Sequence, residues 1–186
     1  MKQLAQLALI VTLALCATAC VSPPAPKYQA SVDNTGLLLK QNAKLAVGPF
    51  TAAAGVENHS LSIRGSQIKG GADGTFSTYL RDAVITELQT AGRYDESSKL
   101  QLTGTLTRNE ISTGLAKTGT ASVGGEFSLA KNGAVVFKKS FVAKHQWESS
   151  FIGAVAIPAA IDNYSTTVQK LLGELLSDPD FIASLR

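Results

Sequence analysis

Val123-Gly124-Gly125-Glu126-Phe127-Ser128-Leu129-Ala130-Lys131-Asn132-Gly133-Ala134-Val135-Val136-Phe137-Lys138-Lys139-Ser140-Phe141 is the stretch that decides the fold. Val123, Phe127 and Leu129 alternate with small or polar residues, a turn signal follows, and Val135, Phe137 and Phe141 resume the alternation. A period of two on both sides of an Asn-Gly pair predicts two half-buried antiparallel strands. A three-residue loop, Lys131-Asn132-Gly133, sets Leu129 against Val135, Phe127 against Phe137 and Val123 against Phe141. A two-residue Asn-Gly turn would set Phe127 against Lys138. The first register keeps apolar residues on one face and is the one expected. It leaves Lys139 on that face opposite Gly125, and a bulge at Gly124-Gly125 is expected to relieve it.

Outward from the hairpin, Leu100, Leu102 and Leu106 alternate with Gln101, Thr103, Thr105 and Thr107, a third strand with one polar face. Gly104 interrupts its apolar face, as at a bulge or a close approach. Lys44 to Phe50 reads as a first strand stopped by Pro49, and Ser62 to Lys69 as a short strand. Phe76, Leu80, Val84 and Leu88 fall four apart and predict a helix over 76–91. Thr75 or Ser77 caps it, Arg81, Asp82 and Glu87 point outward, and Gly92 ends it. On the other side of the hairpin, Phe151 to Ile157 is an apolar connection. Pro158 then opens a helix whose stripe is Ile161, Tyr164, Val168, Leu171 and Leu175. Asp178 and Pro179 start a last short helix. The order predicts an α+β fold of two layers, a mostly antiparallel sheet covered on one face by two amphipathic helices.

The start of the chain reads as an export signal. Lys2 is followed by an uncharged apolar run, Leu4 to Leu15, and then by Ala17-Thr18-Ala19-Cys20. That run is shorter than the roughly 20 residues a membrane span needs. The expectation is a lipoprotein signal peptide over residues 1–19, cleaved between Ala19 and Cys20. Cys20 then carries a covalent diacylglycerol and an N-acyl chain. Ala17-Thr18-Ala19 also suits ordinary signal cleavage, which would release a secreted protein with a free Cys20. A cysteine at the first mature position favours the acylated form. Residues 20–42 are expected to be the lipidated cysteine and a flexible, Pro-containing tether, and 43–186 one α+β periplasmic domain. Without Lys2 the basic residues number 16 against 14 acidic, too little charge to argue for nucleic acid.

The chain resembles the YajG-type family of bacterial envelope lipoproteins. Arg64-Gly65-Ser66-Gln67-Ile68, Thr90-Ala91-Gly92-Arg93-Tyr94, the strand Leu100-Gln101-Leu102, the turn Lys131-Asn132-Gly133 and the ending Leu176 to Ile182 carry the resemblance. Its element order is also similar to other small periplasmic lipoproteins that are accessories to lipid or lipopolysaccharide transport machines. The resemblance implies a lipid-anchored protein on the periplasmic side of the outer membrane, and no catalytic residue. Val21 after Cys20 is not the Asp that retains such proteins in the inner membrane.

Chemistry-bearing residues are sparse. His59 and His145 stand far apart outside any metal-ligand spacing, and no G-x-S-x-G elbow occurs. Gly70-Gly71-Ala72-Asp73-Gly74 lacks phosphate-loop spacing, and its Asp opposes phosphate. The sequence predicts no metal, no catalytic set and no cofactor beyond the lipid on Cys20. Packed under the helices, Phe151 to Ile157 is ordinary core, the favoured reading; if part of it stays exposed, Phe151 and Ile152, with Trp147 beside them, are the candidate contacts for an envelope protein partner or lipid. The expected function is a non-enzymatic binding or accessory module in envelope assembly or transport. A domain that binds lipid or another apolar molecule between sheet and helices is the alternative. An envelope enzyme is the least favoured.

Overall fold

The computed structural model describes residues 27–113 and 117–186. The expected signal peptide, its expected cleavage site at Ala19 and the expected acylation site at Cys20 lie outside the described residues. The sheet is α+β in context and mixed, with the order β1-β4-β5-β6. Its strands are β1 (Ala46–Ala52), β4 (Leu100–Ser112), β5 (Thr118–Lys131) and β6 (Ala134–Glu148). β1 runs parallel to β4, and the other pairs are antiparallel. A separate hairpin joins β2 (Ser60–Ile63) and β3 (Ser66–Lys69). The single short strand expected over 62–69 is thus two strands about an Arg64-Gly65 turn, both residues at positive φ.

Among the described residues four helices lie on one side of the sheet. The segment expected to be tether contains α1 (Val32–Leu39), docked rather than free: Tyr28, Asn34 and Leu38 are all buried. α2 (Phe76–Thr90) is capped by Thr75, whose side chain accepts from the Thr78 N–H, and Gly92 follows at φ +66° as the αL cap. Glu87, expected to point outward, is only 1 % exposed. The reason is α1, which lies over that flank of α2. Glu87 Oε1 accepts from Tyr28 Oη at 2.6 Å, Asn34 Nδ2 at 2.9 Å and the Ser31 N–H at 3.0 Å. α3 (Gly153–Ser177) begins earlier than expected, so Pro158 lies inside it rather than in its first turn. Asp178 ends α3 and caps α4 (Pro179–Ser184), accepting from the N–H groups of Asp180 and Phe181.

The central hairpin adopts neither register weighed above. Asn132 and Gly133 form a two-residue turn at positive φ, with Lys131 opposite Ala134. A bulge after Val135 then moves Phe137 opposite Leu129, Lys139 opposite Phe127, Phe141 opposite Gly125 and Ala143 opposite Val123. One extra residue in β6 restores the apolar face that the tight turn would have inverted. Beside Gly124-Gly125 a second bulge does occur, but on β4, between Leu106 and Arg108. Lys139 does lie on the helix side of the sheet. What relieves it is an ion pair at the junction of α3 and α4, 2.6 Å to Asp178 and 3.1 Å to Asp180. Gly104 is a close approach, since a Cβ there would lie 2.3 Å from Phe50 Cε1.

α2 and α3 run parallel. At their N-terminal halves the Phe76 and Tyr164 rings are 5.3 Å apart and those of Tyr79 and Tyr164 5.9 Å. Further along, Val84, Glu87 and Leu88 of α2 face Leu172, Leu175 and Leu176 of α3. The first three turns of α3 therefore project past the start of α2.

Candidate functional site

The projecting end of α3 carries the most unusual surface on the domain. β6 ends at Glu148, the Ser149 N–H donates to the Lys117 carbonyl at 2.6 Å, and Ser150 Oγ accepts from the Ile152 N–H at 3.1 Å. Arg64, held at φ +51° in the β2–β3 turn, reaches across with its guanidinium. Nη1 donates to the Phe151 carbonyl at 2.7 Å, and Nη2 to the Ser150 carbonyl at 2.6 Å and the Thr113 carbonyl at 3.4 Å. One planar fork thus ties the end of β4 to the start of α3.

Phe151 and Ile152 are each 64 % exposed and Val155 is 55 % exposed. Ile152 is the N-cap of α3 and Phe151 precedes it, and the Val155 N–H donates to the Ile152 carbonyl at 3.0 Å, so the three residues meet at the first turn of the helix as one corner. The inward positions of the same turns, Ala156 and Ala160, are small and fully buried. Burial ordinarily puts the large apolar residues inside. Here the large ones face water and the alanines face the sheet. Of the apolar run, Phe151, Ile152 and Val155 are therefore surface, against the favoured expectation that the stretch is ordinary core. The three-residue spacing of Val155 from Ile152 was the signal that could have found it.

Trp147 does not join the corner. Its ring lies flat against Gly119 on the neighbouring strand, where a Cβ would come within 2.3 Å of Cε2, and it packs against the core cluster. It stands 6.0 Å from the His145 ring. His145 in turn bridges β6 to α3, with Nε2 2.8 Å from Asn163 Oδ1 and Nδ1 2.8 Å from Lys170 Nζ. That geometry fits the tautomer with the proton on Nε2 and a structural role. His59 is exposed in the loop between β1 and β2.

The remaining polar groups also have local duties. Asp73 accepts from the Thr75 N–H and Oγ1 and from Thr78 Oγ1, all within 2.8 Å, and these bonds, Thr78's first, hold its carboxyl below the usual range. It closes the glycine-rich loop onto α2 and leaves no anion cradle. Burial, with the Glu87 carboxylate beside it, pushes the Tyr28 phenol well above its ordinary value. Among the described residues no group of three or more His, Cys, Asp or Glu is placed to hold a metal ion. The uncovered sheet face carries a shallow groove of about 490 Å³ between Arg108, Glu110, Ser122 and Lys144. Arg108 and Glu110 pair with each other there at 3.0 Å. Between sheet and helices, by contrast, the space bounded by Leu38, Leu102, Leu172 and Phe181 is about 10 Å³.

No family model matches the chain, and no curated protein matches it. Solved structures do. A Xanthomonas campestris protein of family DUF330 is similar at 17 % identity with a TM-score of 0.54, over 84 % of this chain and 90 % of its own. A candidate lipoprotein from Caulobacter crescentus is similar at 14 % identity and a TM-score of 0.47, over 82 % and 95 %. A minor lipoprotein from Acinetobacter baumannii is similar at 8 % identity and a TM-score of 0.38, over 74 % and 90 %. The first of these shows a shared fold.

Proposed function

We propose that this chain is a lipid-anchored, non-enzymatic accessory module of the bacterial cell envelope, held through acylated Cys20 on the periplasmic side of the outer membrane. Its contact surface is the apolar corner of Phe151, Ile152 and Val155. The observation that carries the reading is the inversion at the head of α3: three large apolar side chains stand together in water while alanines occupy the buried positions. Exposed apolar clusters of this kind mark interaction sites. Among the described residues no helix is long and apolar enough to cross a membrane; in this reading the acylated cysteine supplies the attachment.

The lipid-carrier alternative finds no support in the interior. A space of about 10 Å³ is no larger than that of a single water molecule, and an acyl chain needs hundreds. For the enzyme alternative, the titratable groups gathered in the sheet-face groove, Arg108, Glu110 and Lys144, include a pair, Arg108 and Glu110, that bind each other. Labelled palmitate fed to cells should enter the wild-type protein and not the Cys20→Ala variant. Labelling of that variant would end the reading. A photo-crosslinker at Ile152 should form adducts in cells that one at Thr103, on the open sheet face, does not.

A further inference from the structure

The corner lies at the end of the domain from which the anchored chain departs. α1 ends near Arg93, whose guanidinium donates to the Leu38 and Leu39 carbonyls. Followed backward, the chain passes Ser31 beside Glu87 and arrives at Tyr28, whose ring is 6.2 Å from Tyr79. It therefore runs from the C-terminal end of α2 toward the N-terminal ends of α2 and α3. The head of α3 lies further in the same direction. Gly153 precedes Tyr164 by 11 residues, about 16 Å of helix at ~1.5 Å per residue.

Docking of Tyr28 and α1 also shortens the free chain. Only seven residues, Val21 to Lys27, separate Cys20 from buried Tyr28. Fully extended, at ~3.3–3.6 Å per residue, they reach roughly 25–30 Å. In that reading the acyl chains on Cys20 keep the domain within that distance of the bilayer, and the leash is longer than the roughly 16 Å by which the head of α3 extends beyond the level of Tyr164, so the corner lies within its reach. Lys117 and Glu148, beside Ser149 at the foot of the corner, carry opposite charges, and the Arg64 guanidinium lies on the Phe151 and Ser150 carbonyls.

Building on the Cys20 anchor proposed above, we propose that Phe151, Ile152 and Val155 enter the headgroup–acyl boundary of the membrane that holds Cys20, so that the domain grips one bilayer at two points. Apolar side chains at the end of a helix gain by leaving water for that boundary. The bilayer is favoured over a protein partner because a leash of only seven residues keeps the corner within reach of lipid.

The test uses the full acylated protein in vesicles of phosphatidylethanolamine and phosphatidylglycerol. An environment-sensitive fluorophore is placed at Phe151→Cys, with Thr103→Cys as the control. Palmitate labelling of the same sample reports the anchor separately. Emission at 151 should shift to the blue and fall about twofold or more when the lipids carry brominated acyl chains, while 103 does not respond. Inserting twenty Gly and Ser residues after Val21 should weaken the response at 151. An acylated protein whose residue 151 stays in water overturns the membrane contact and leaves the anchor standing. Absence of palmitate overturns the anchor itself. A protein adduct at residue 152 in cells, with no lipid quenching at 151, assigns the corner to a protein and also overturns the proposal.

Discussion

Replacing Glu87 by Ala should release α1 without unfolding the sheet. In the native structure Glu87 Oε1 is the common acceptor for Tyr28 Oη, the Ser31 N–H and Asn34 Nδ2. Asn34 keeps a second acceptor, the Gln169 carbonyl at 3.0 Å. The substitution therefore strands two donors if α1 stays docked. At about 1–3 kcal/mol for each buried donor left unpaired, the penalty is about 2–6 kcal/mol, toward the low end because Ser31 is half-buried. Against it stands the apolar gain of docking, chiefly Leu38 and Tyr28, at about 1.5–3 kcal/mol per side chain. The two sums are close, so the undocked form becomes populated while β5 and β6, which pack chiefly on α3, remain. Hydrogen exchange by mass spectrometry reads this directly. Peptides covering 28–40 should lose at least about tenfold in protection, equivalent to ~1.4 kcal/mol, while peptides from β5 stay unchanged. Tyr28→Phe, which removes one bond and strands nothing, should show a smaller loss. Wild-type protection over 28–40 in the Ala variant would refute the idea that this carboxylate holds the segment.

Gly104→Ala should destabilise the domain by about 1–3 kcal/mol, because the new methyl meets the Phe50 ring; urea midpoints measure it, and Phe50→Leu in the same chain should recover part of the loss. The hydrogen bond from the Lys139 ammonium, reinforced by the N–H groups of Phe181 and Asp180, holds the Asp178 carboxyl below the usual carboxylate range. A depressed folded pKa gives stability that is present above the unfolded value, about 4, and is lost as pH falls through the folded one. The stability gap between wild type and Asp178→Asn should therefore be full at neutral pH and close below about pH 4, followed by urea unfolding at several pH values; a gap that widens in acid would contradict the assignment.

Periodicity made the two long helices, the third strand and the hairpin legible, because in each the apolar spacing matches the element and the turn residues bound it. The register of the hairpin was not legible. Its turn chemistry and its apolar pattern disagree by one residue, and the structure satisfies both with a bulge in β6 that no residue type announces. α1 was hidden for a related reason. Among the described residues of that segment only Tyr28, Asn34 and Leu38 are buried, and prolines and small polar residues dominate the sequence around them. Glu87 was misplaced with it, since a glutamate on a helix reads as solvated unless its donors, more than fifty residues away, are known. At the candidate site Phe151 and Ile152 stood out as an apolar run. Trp147 misled because the space that takes its ring is a glycine on another strand, and Arg64 stayed obscure because its acceptors are backbone carbonyls.

A buried carboxylate is a poor source of net stability, and this one invites the question of what it does better than an apolar side chain. Desolvating it costs free energy that its three hydrogen bonds partly return, and apolar replacements of buried polar groups are often neutral or stabilising by about 1–4 kcal/mol. What an apolar contact cannot do is fix the position of α1 along α2. A single oxygen that accepts from Tyr28, Ser31 and Asn34 admits one register, and that register sets how many residues remain between the docked chain and Cys20. Tyr28→Phe, Asn34→Leu and Glu87→Met combined should thus preserve or raise the urea midpoint while loosening the placement of α1. Amide NMR of residues 28–40 should then show doubled or broadened signals. A single sharp set of native-like shifts in that variant would mean that shape alone positions the segment, and that the carboxylate has no part in setting the length of the leash.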